Sequence, residues 1–287
     1  MSAPLLQNLF PNIDDWSEIG HACIDTLLML GGSLLLTVLV GLPLGVLLYL
    51  TGNSPLQTRR LNAVVSIVVV ALMLLLMPFS YAMLADKLGI AALALPLGIG
   101  VLLVLFVRPT RSDGRIGFAP RPYAPLSLLV NILRSIPFII LMIVLMPLTF
   151  VLVHTKLGIR GAIPPLVIGA APFFARLVET ALREVQKGVI EASQAMGAST
   201  WQIVRHVLLP EARSGLIAGI TVTAIALVGY TAMGGAIGAG GLGDLAYRYG
   251  YLSYKSDYMV VTVVLLIVLV QLLQMAGDRI VARYTRH

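Results

Sequence analysis

The sequence predicts an all-α membrane protein that crosses the bilayer several times, and two observations support this fold class. Hydrophobic residues make up 58% of the 287 residues, whereas charged residues make up only 11%. Soluble proteins hold roughly 25% charged residues, so this composition excludes a soluble class. The apolar residues also occur in runs close to the ~20 residues that a helix needs to cross the hydrocarbon of a bilayer. We therefore expect a polytopic helical protein.

Seven apolar runs are long enough to be membrane spans. Their approximate bounds are Thr26–Leu50, Leu61–Leu84, Leu88–Val107, Leu126–Val153, Ala162–Leu182, Gly215–Gly235 and Tyr258–Gly277. Residues 108–125 between the third and fourth runs are rich in Arg, Pro and Gly, as a solvated linker is. The segment 183–213 differs from that linker because it keeps a helical pattern.

The positions of the basic residues favour an external N-terminus and a cytoplasmic C-terminus. With that orientation, fourteen of the 20 Lys and Arg lie in cytoplasmic stretches, five lie outside, and Arg134 lies within a span. Positive charge is retained on the cytoplasmic side of membrane proteins, and an odd number of spans requires the same arrangement. Because the basic residues lie in short loops, we do not expect nucleic-acid binding. The first 24 residues hold no Lys or Arg, unlike a secretory signal, so the first run is expected to be kept as a helix.

The cytoplasmic loop 183–213 carries the pattern of two short helices joined at a glycine. Gly197 suits the left-handed residue that ends a helix. Ser199, with Gln202 three positions later, forms a capping box that begins the next helix. Pro210 is expected to end that second helix, because a helix interior tolerates proline badly.

The second of these helices is expected to be amphipathic. Trp201, Val204 and Leu208 stand at the spacing that places side chains on one face of a helix. The pattern therefore predicts an apolar surface displayed on the cytoplasmic side. Taken alone it also allows an amphipathic segment that lies on the membrane surface.

The same loop resembles the signature of the permeases of ATP-binding-cassette importers. Glu191-Ala192, Gly197 and Leu209-Pro210 stand at the spacing of that motif, with Ser193 and Val207 in place of an alanine and an isoleucine. The resemblance implies that this loop docks in a cleft of an ATP-hydrolysing subunit. The residues implied in that contact are Glu191, Ala192, Ser193, Met196, Gly197, Ala198, Ser199, Leu209 and Pro210.

Further stretches resemble the methionine-importer permeases within this family. They are 130–138, 169–173, 228–235 and 276–281. The resemblance covers about residues 25–50 and 126–287 and implies a five-span core. It does not cover 51–125, which we expect to hold an inserted hairpin of two extra spans at 61–107. The expected organisation is an external segment 1–25, a first core span 26–50, the insertion 51–125 and the remaining core 126–287.

The resemblance implies a permease subunit that carries methionine, in the L- and D-forms, across the bacterial inner membrane. It implies four kinds of partner, namely a second copy, two ATP-binding subunits, an external substrate-binding protein and membrane lipid, with no nucleic acid. The chain is not expected to be an enzyme or to bind a cofactor. No Gly-Lys pair forms a phosphate-cradling loop, so ATP would be bound by the partner. The four histidines lack ligand spacing, and the single Cys23 excludes a cysteine cluster, so no catalytic or metal residue is predicted.

Two alternatives to methionine import remain at this stage. One keeps the importer class and changes the cargo to another amino acid or a compatible solute. The other is a stand-alone secondary carrier. Such carriers usually keep ionisable residues near the middle of the membrane, and no acidic residue lies deep in any predicted span.

Three residues within spans invite specific predictions. Arg134 either extends to the cytoplasmic interface or pairs with Glu179 near the same end of the next span. Met233 lies beside Gly234 and Gly235, where small residues let helices approach closely. It either packs there or, as the resemblance implies, lines the closed gate at a two-fold axis.

Two features are predicted on the external side. The stretch Gly238–Gly243 satisfies G-x-G-x-x-G, but it follows a membrane span, so we expect a flexible loop or a tight turn and not a nucleotide site. A cluster of tyrosines follows it. Tyr247, Tyr249, Tyr251, Tyr254 and Tyr258 form either a belt at the membrane interface or a contact with an external binding protein.

Overall fold

The computed structural model describes residues 10, 11, 13, 15–52 and 123–285, and the regular structure in this part of the chain is entirely helical. The predicted all-α class is thereby confirmed for these residues. The α-helices are α1 Trp16–Thr51, α2 Tyr123–Ser135, α3 Phe138–Val153, α4 Gly158–Arg183, α5 Lys187–Ala195, α6 Thr200–Ile203, α7 Leu209–Glu211, α8 Arg213–Gly235, α9 Gly241–Leu245 and α10 Ser256–Thr285. Two π-helical turns, Val204–Leu208 and Ala246–Leu252, interrupt the series.

Four helices of the described residues are long and apolar enough to cross a membrane, namely α1, α4, α8 and α10. The pair α2 and α3 passes the same test together, so the spans number four, or five if the pair is one span. Of the five predicted spans that fall on described residues, four overlap α1, α4, α8 and α10, and the fifth, Leu126–Val153, falls on the bent pair α2 and α3. The spans predicted at 61–84 and 88–107, and with them the inserted hairpin, lie outside the described residues. Seven spans therefore remain a prediction.

The span predicted as continuous over Leu126–Val153 is broken between Ser135 and Phe138, so that prediction was wrong in this detail. Pro137 stands immediately before α3 with φ −54° and ψ 131°, which is not helical. A proline disfavours the helical conformation of the residue before it, here Ile136, and ends α2. The Pro137 carbonyl then accepts the first amide bonds of α3, from Ile140 and Leu141, each at 3.0 Å.

Helix α1 begins at Trp16, earlier than the predicted Thr26. Asp15 caps its first turn, because the Ser17 amide donates to the Asp15 Oδ1 at 2.8 Å. Burial of apolar side chains also stabilises the first turns of the helix, because Ile19 belongs to an apolar cluster against which Tyr249 packs. The other buried members of that cluster are Ile13, Ala22, Leu242, Leu245 and Tyr258.

The chain divides into two compact units, each built from separate stretches of sequence. The first unit comprises residues 1–42, 136–177 and 213–287, and the second comprises 43–135 and 178–212. The core of the first unit includes Met29, Leu166, Ala170, Leu227 and Val228. The second unit contains the predicted cytoplasmic loop, whose buried side chains are described below.

Helices α8 and α10 of the first unit cross at a glycine. A Cβ atom built on Gly277 would overlap the side chain of Thr221, including its Oγ1 and Cγ2 atoms. The Arg213 guanidinium also lies over the ring of Tyr284, 4.9 Å from the centroid, and so joins the same two helices. Close approach at small residues is how helices associate in lipid, where burial from water supplies no driving force.

This crossing predicts that Gly277→Ala destabilises the protein. The added methyl group has no space beside Thr221, and overpacking of this kind costs about 1–3 kcal/mol. Gly31→Ala is the matched control, since a Cβ on Gly31 meets nothing within 4 Å. Thermal unfolding of the two purified variants in detergent measures the difference. Equal Tm values for Gly277→Ala and Gly31→Ala would contradict the close crossing.

Candidate functional site

Helix α5 of the predicted loop ends in a Schellman motif centred on Gly197. Gly197 has φ +82°, a left-handed conformation. Its amide donates to the Gln194 carbonyl at 2.9 Å, and the Ala198 amide donates to the Ser193 carbonyl at 3.1 Å. These two bonds satisfy carbonyls that the end of a helix leaves without partners. The predicted glycine break is confirmed.

The next helix begins at the predicted capping box. The Ser199 amide donates to the Gln202 Oε1 at 2.8 Å, and the Gln202 amide donates to the Ser199 Oγ at 3.4 Å. These reciprocal bonds satisfy two amides at the start of α6. Ala198 is the only residue between the left-handed Gly197 and this cap. The turn between the two helices is therefore fixed by hydrogen bonds of its own residues.

The prediction that Pro210 ends the second helix was wrong. The chain passes from α6 through the π-helical turn Val204–Leu208, in which the Leu209 amide bonds to the Val204 carbonyl, and stays helical to Glu211. Pro210 stands in the first turn of α7. A proline has no amide hydrogen to donate to a carbonyl of the preceding turn, and the π-helical turn lies directly before α7, where the regular α-helical bonding is already interrupted.

The loop presents two large apolar side chains to its surroundings. Val204 and Leu208 are buried, as their spacing predicts, but Trp201 is 68% exposed and does not share their face. Ile203 is buried, and side chains two positions apart lie on nearly opposite sides of a helix, so its burial directs Trp201 outward. Met196, beside the Gly197 turn, is 81% exposed. We call Met196 and Trp201 the apolar tip of the loop.

Most other residues predicted for the docking contact are also accessible. Glu191 and Ala192 of α5 are exposed, as are Gly197, Ser199 and Pro210. Ser193 differs, because it is buried and its hydroxyl donates to the Val189 carbonyl at 2.8 Å. Ser193 thus supports the helix from inside the second unit, and Ala198 and Leu209 are half-buried. The docking role of these residues stays a prediction.

Glu179, the acidic member of the predicted ion pair, is bonded within its own helix. Its Oε1 accepts from the Arg183 Nη2 at 2.6 Å and from the Arg183 Nε at 3.1 Å. The carboxylate is only 3% exposed, and a buried charge needs such a partner. Arg134 lies in the last turn of α2. Its predicted pairing with Glu179 stays a prediction beside the observed bond to Arg183.

Met233 stands near the end of α8, in a turn held by close backbone contacts. A Cβ atom on Gly235 would overlap the backbone of Gly243 and Asp244, and one on Gly243 would overlap the backbone of Ala232. Only glycine allows α8 and α9 to approach in this way. Met233 itself is 49% exposed in the single chain. The contacts fix its backbone, and its predicted role as a gate remains to be tested.

The glycine-rich stretch after α8 is a tight turn, one of the two forms expected. Gly238, Gly240 and Gly241 have φ of +88°, +86° and +79°, which L side chains rarely adopt. The turn is anchored to α1, because the Leu242 amide donates to the Thr26 Oγ1 at 2.9 Å. The stretch joins two helices, so the strand that a dinucleotide-binding fingerprint requires does not precede it.

The tyrosine cluster is divided between core and surface. Tyr258 is buried and stacks on Tyr249 at 4.8 Å, so the prediction of a surface role was wrong for Tyr258. The Tyr249 hydroxyl donates to the Glu18 Oε1 at 3.0 Å. This bond raises the pKa of Tyr249, since loss of the proton would break it and place two anions together. Exposed members of the cluster are Tyr247, Tyr251 and Tyr254.

Comparison with known proteins identifies the family. The family model described as "Binding-protein-dependent transport system inner membrane component" matches residues 116–286. This range includes the loop and the four helical segments that follow it. The chain belongs to this family. It is accordingly a multi-pass membrane protein and a transport permease, and the resemblance inferred from the loop and its neighbouring motifs is confirmed.

Individual relatives show which members of the family this chain resembles. The chain is 48% identical over 190 residues to the probable D-methionine transport system permease protein MetI of Vibrio cholerae, which covers 66% of this chain and 84% of the relative. It is 58% identical over 151 residues to the methionine import system permease protein MetP of Bacillus subtilis, or 53% of this chain and 68% of that one. A solved structure of the inward-facing MetNI methionine ABC transporter is similar with a TM-score of 0.66 and 42% identity, covering 91% of this chain and 94% of that chain.

Sequence reasoning missed two contacts of this permease that join distant segments. Glu18 and Tyr249 are bonded although most of the chain separates them. Phe138 and Tyr230 stack with their ring centroids 4.3 Å apart. No local pattern in a single sequence indicates such pairs, because their spacing follows from how helices pack.

The left-handed conformation of Gly197 predicts that Gly197→Ala lowers the stability of the turn between α5 and α6. A Cβ at Gly197 meets nothing within 4 Å, so the cost is conformational, roughly 1–2 kcal/mol. Gly188→Ala, within α5, is the matched control, because a Cβ on Gly188 is equally unobstructed and the φ of Gly188 is not positive. Hydrogen exchange of the Gly197 and Ala198 amides should accelerate about tenfold in the first variant. Unchanged exchange in both variants would show that the Schellman motif does not hold the turn.

Proposed function

We propose that this chain is the permease subunit of a methionine ATP-binding-cassette importer, forming the pathway for L- and D-methionine. The observation that carries the proposal is the identity of 48% and 58% to permeases named for methionine transport. The likeness to the MetNI structure, over more than nine-tenths of both chains, supports the same class. Import of another amino acid or a compatible solute is the second candidate, since the family description specifies no cargo.

The proposed topology has the N-terminus outside and the C-terminus in the cytoplasm of a bacterium, with the chain in its inner membrane. The distribution of Lys and Arg supports it, because the loop 183–213 and the end of α10 carry basic residues that are retained on the cytoplasmic side. Under this topology the apolar tip of the loop faces the cytoplasm. The exposed tyrosines Tyr247, Tyr251 and Tyr254 then face outside.

The proposed assembly pairs two copies of the chain with two ATP-binding subunits and an external binding protein. The exposed apolar tip supports docking of an ATPase on the loop, since exposed Trp and Met side chains are enriched in the centres of protein interfaces. ATP would be held by that partner, and this chain would hold no cofactor. The binding protein would deliver methionine at the external end of the pathway.

Alternating access follows from this assembly. ATP binding would draw the two ATPases together and move the loops docked on them. The helices joined to the loops would then tilt and open the gate at Met233 to the outside. A ligand can drive such a change only by its differential affinity for the two states. The chain itself therefore contributes the docking surface, the helices that move and the gate.

The proposal predicts ATP-dependent uptake of labelled methionine by proteoliposomes that hold the permease and its ATPase, with the binding protein supplied outside. Uptake should fall sharply in Gly197→Asp, because the variant places a carboxylate on the exposed turn beside the apolar tip, where docking of the partner would bury it. ATPase stimulation without methionine uptake would keep the importer class and reject the cargo. Uptake that persists without ATP would identify a carrier and overturn the proposal.

Docking through the apolar tip predicts that Trp201→Ala weakens binding of the ATPase subunit. The side chain is exposed in the single chain, so its removal should leave the permease folded. Truncation of a central interface tryptophan costs about 2 kcal/mol or more, roughly a thirtyfold loss of affinity.

Affinity for the ATPase subunit is measured by titration of the purified permease in detergent. Val151→Ala is the control, since Val151 is exposed on α3, in a predicted membrane span, and outside the loop. Wild-type affinity of the Trp201→Ala protein would reject the tip as the docking surface.

A further inference from the structure

An aromatic stack joins α3 to α8 within the first unit. The rings of Phe138 and Tyr230 lie 4.3 Å apart between centroids and only 6° from parallel. Phe138 is buried, and Tyr230 packs at the edge of the same apolar core. Aromatic pairs have preferred relative orientations that aliphatic contacts lack, so this stack restrains how the two helices turn against each other.

Phe138 is held firmly on its other side as well. It is the first residue of α3, directly after the break at Pro137. A Cβ atom on Gly169 of α4 would stand 3.2 Å from the Phe138 Cδ2 and 3.3 Å from the Leu141 Cδ2, so the glycine gives these side chains their space. The ring of Phe138 is thus enclosed between α4 and Tyr230.

A second contact between the same helices lies one turn further along each. The Met142 Cε and Sδ atoms stand 3.2 Å and 3.4 Å from a Cβ built on Gly234. Phe138 and Met142 are four residues apart on α3, as Tyr230 and Gly234 are on α8. Met233 lies between Tyr230 and Gly234 on α8. The candidate gate residue therefore belongs to the one turn of α8 that α3 contacts at both ends.

We propose that the stack of Phe138 on Tyr230 is a positioning contact that fixes the gate turn, residues 230–234, to α3. With the stack intact, α3 and the gate turn move as one body, and Met233 reaches its partner across the two-fold axis in a defined place. Without it, the Met142 contact alone leaves the turn free to rotate. In this role Phe138 and Tyr230 act through Met233 and do not contact the transported substrate. The inference rests on the proposed importer function and on the proposed gate.

Crosslinking tests the position of the gate turn directly. Met233→Cys is placed in a Cys23→Ala background, and formation of the crosslinked dimer is timed in the nucleotide-free complex. Adding Phe138→Leu or Tyr230→Leu keeps apolar volume but removes the stack, and should slow crosslinking at least threefold. Tyr230→Phe keeps the stack and Phe150→Leu removes a half-exposed ring elsewhere on α3, so both should crosslink at the original rate.

A second experiment measures how tightly transport is coupled to ATP hydrolysis. This ratio would stay unchanged if the stack only stabilised the fold. In proteoliposomes, the amount of methionine taken up per ATP hydrolysed should fall at least fivefold in the two leucine variants, while ATP hydrolysis itself persists. Tyr230→Phe should restore the wild-type ratio. Yield and Tm of the purified complexes exclude misfolding as the cause.

The outcomes separate this inference from the function on which it rests. Wild-type crosslinking and coupling in the leucine variants would overturn the positioning role alone. Failure of Met233→Cys to crosslink without any second change would reject the gate and the positioning role together. Methionine uptake by the wild-type complex is independent of both results and decides the proposed function.

Discussion

Close backbone approach at glycine is the constraint on which the first unit depends. Inside a membrane, burial of apolar side chains from water does not drive helices together, so contact distance and hydrogen bonding decide how they associate. The chain meets this condition where Gly235 faces Gly243, where Gly241 faces Thr26, and where Gly277 faces Thr221. Each site brings two helices, or a helix and a turn, closer than any larger residue allows.

The loop 183–213, most of which belongs to the second unit, is stabilised in a different way. Its turn is closed by hydrogen bonds between neighbours, from the Schellman motif at Gly197 to the capping box at Ser199. Its apolar tip contributes little to this internal structure, because Met196 and Trp201 are exposed. Local bonds hold the shape of the loop, so the apolar side chains of its tip remain available for a partner.

This difference explains what the sequence could predict. Spans and caps depend on residues near each other in the chain, so the four spans that fall on α1, α4, α8 and α10, the glycine break and the capping box were predicted correctly. The early start of α1 depends on the cap at Asp15, a local signal that the prediction did not use, and on a cluster with distant residues such as Tyr258, which no local pattern indicates. The break at Pro137 had a local signal that the length of the apolar run obscured. The exposure of Trp201 depends on which side of α6 packs against the rest of the second unit. Helix α6 is a single turn, and so short a pattern could not predict which side that is.

Helix α8 connects the parts of the molecule to which function is assigned. It begins at Arg213, directly after the loop, and ends at Gly235, two residues beyond Met233. Its 23 residues contain no proline, so the helix has no interruption of the kind that divides α2 from α3. In the proposed mechanism, a displacement of the loop at its start would pass along an unbroken helix to residues 230–234. Helix α10 contacts α8 near its start, through Arg213 and Tyr284, and α3 contacts it near its end, through Phe138 and Tyr230, so in the proposed mechanism these two neighbours would limit how far the turn at 230–234 rotates.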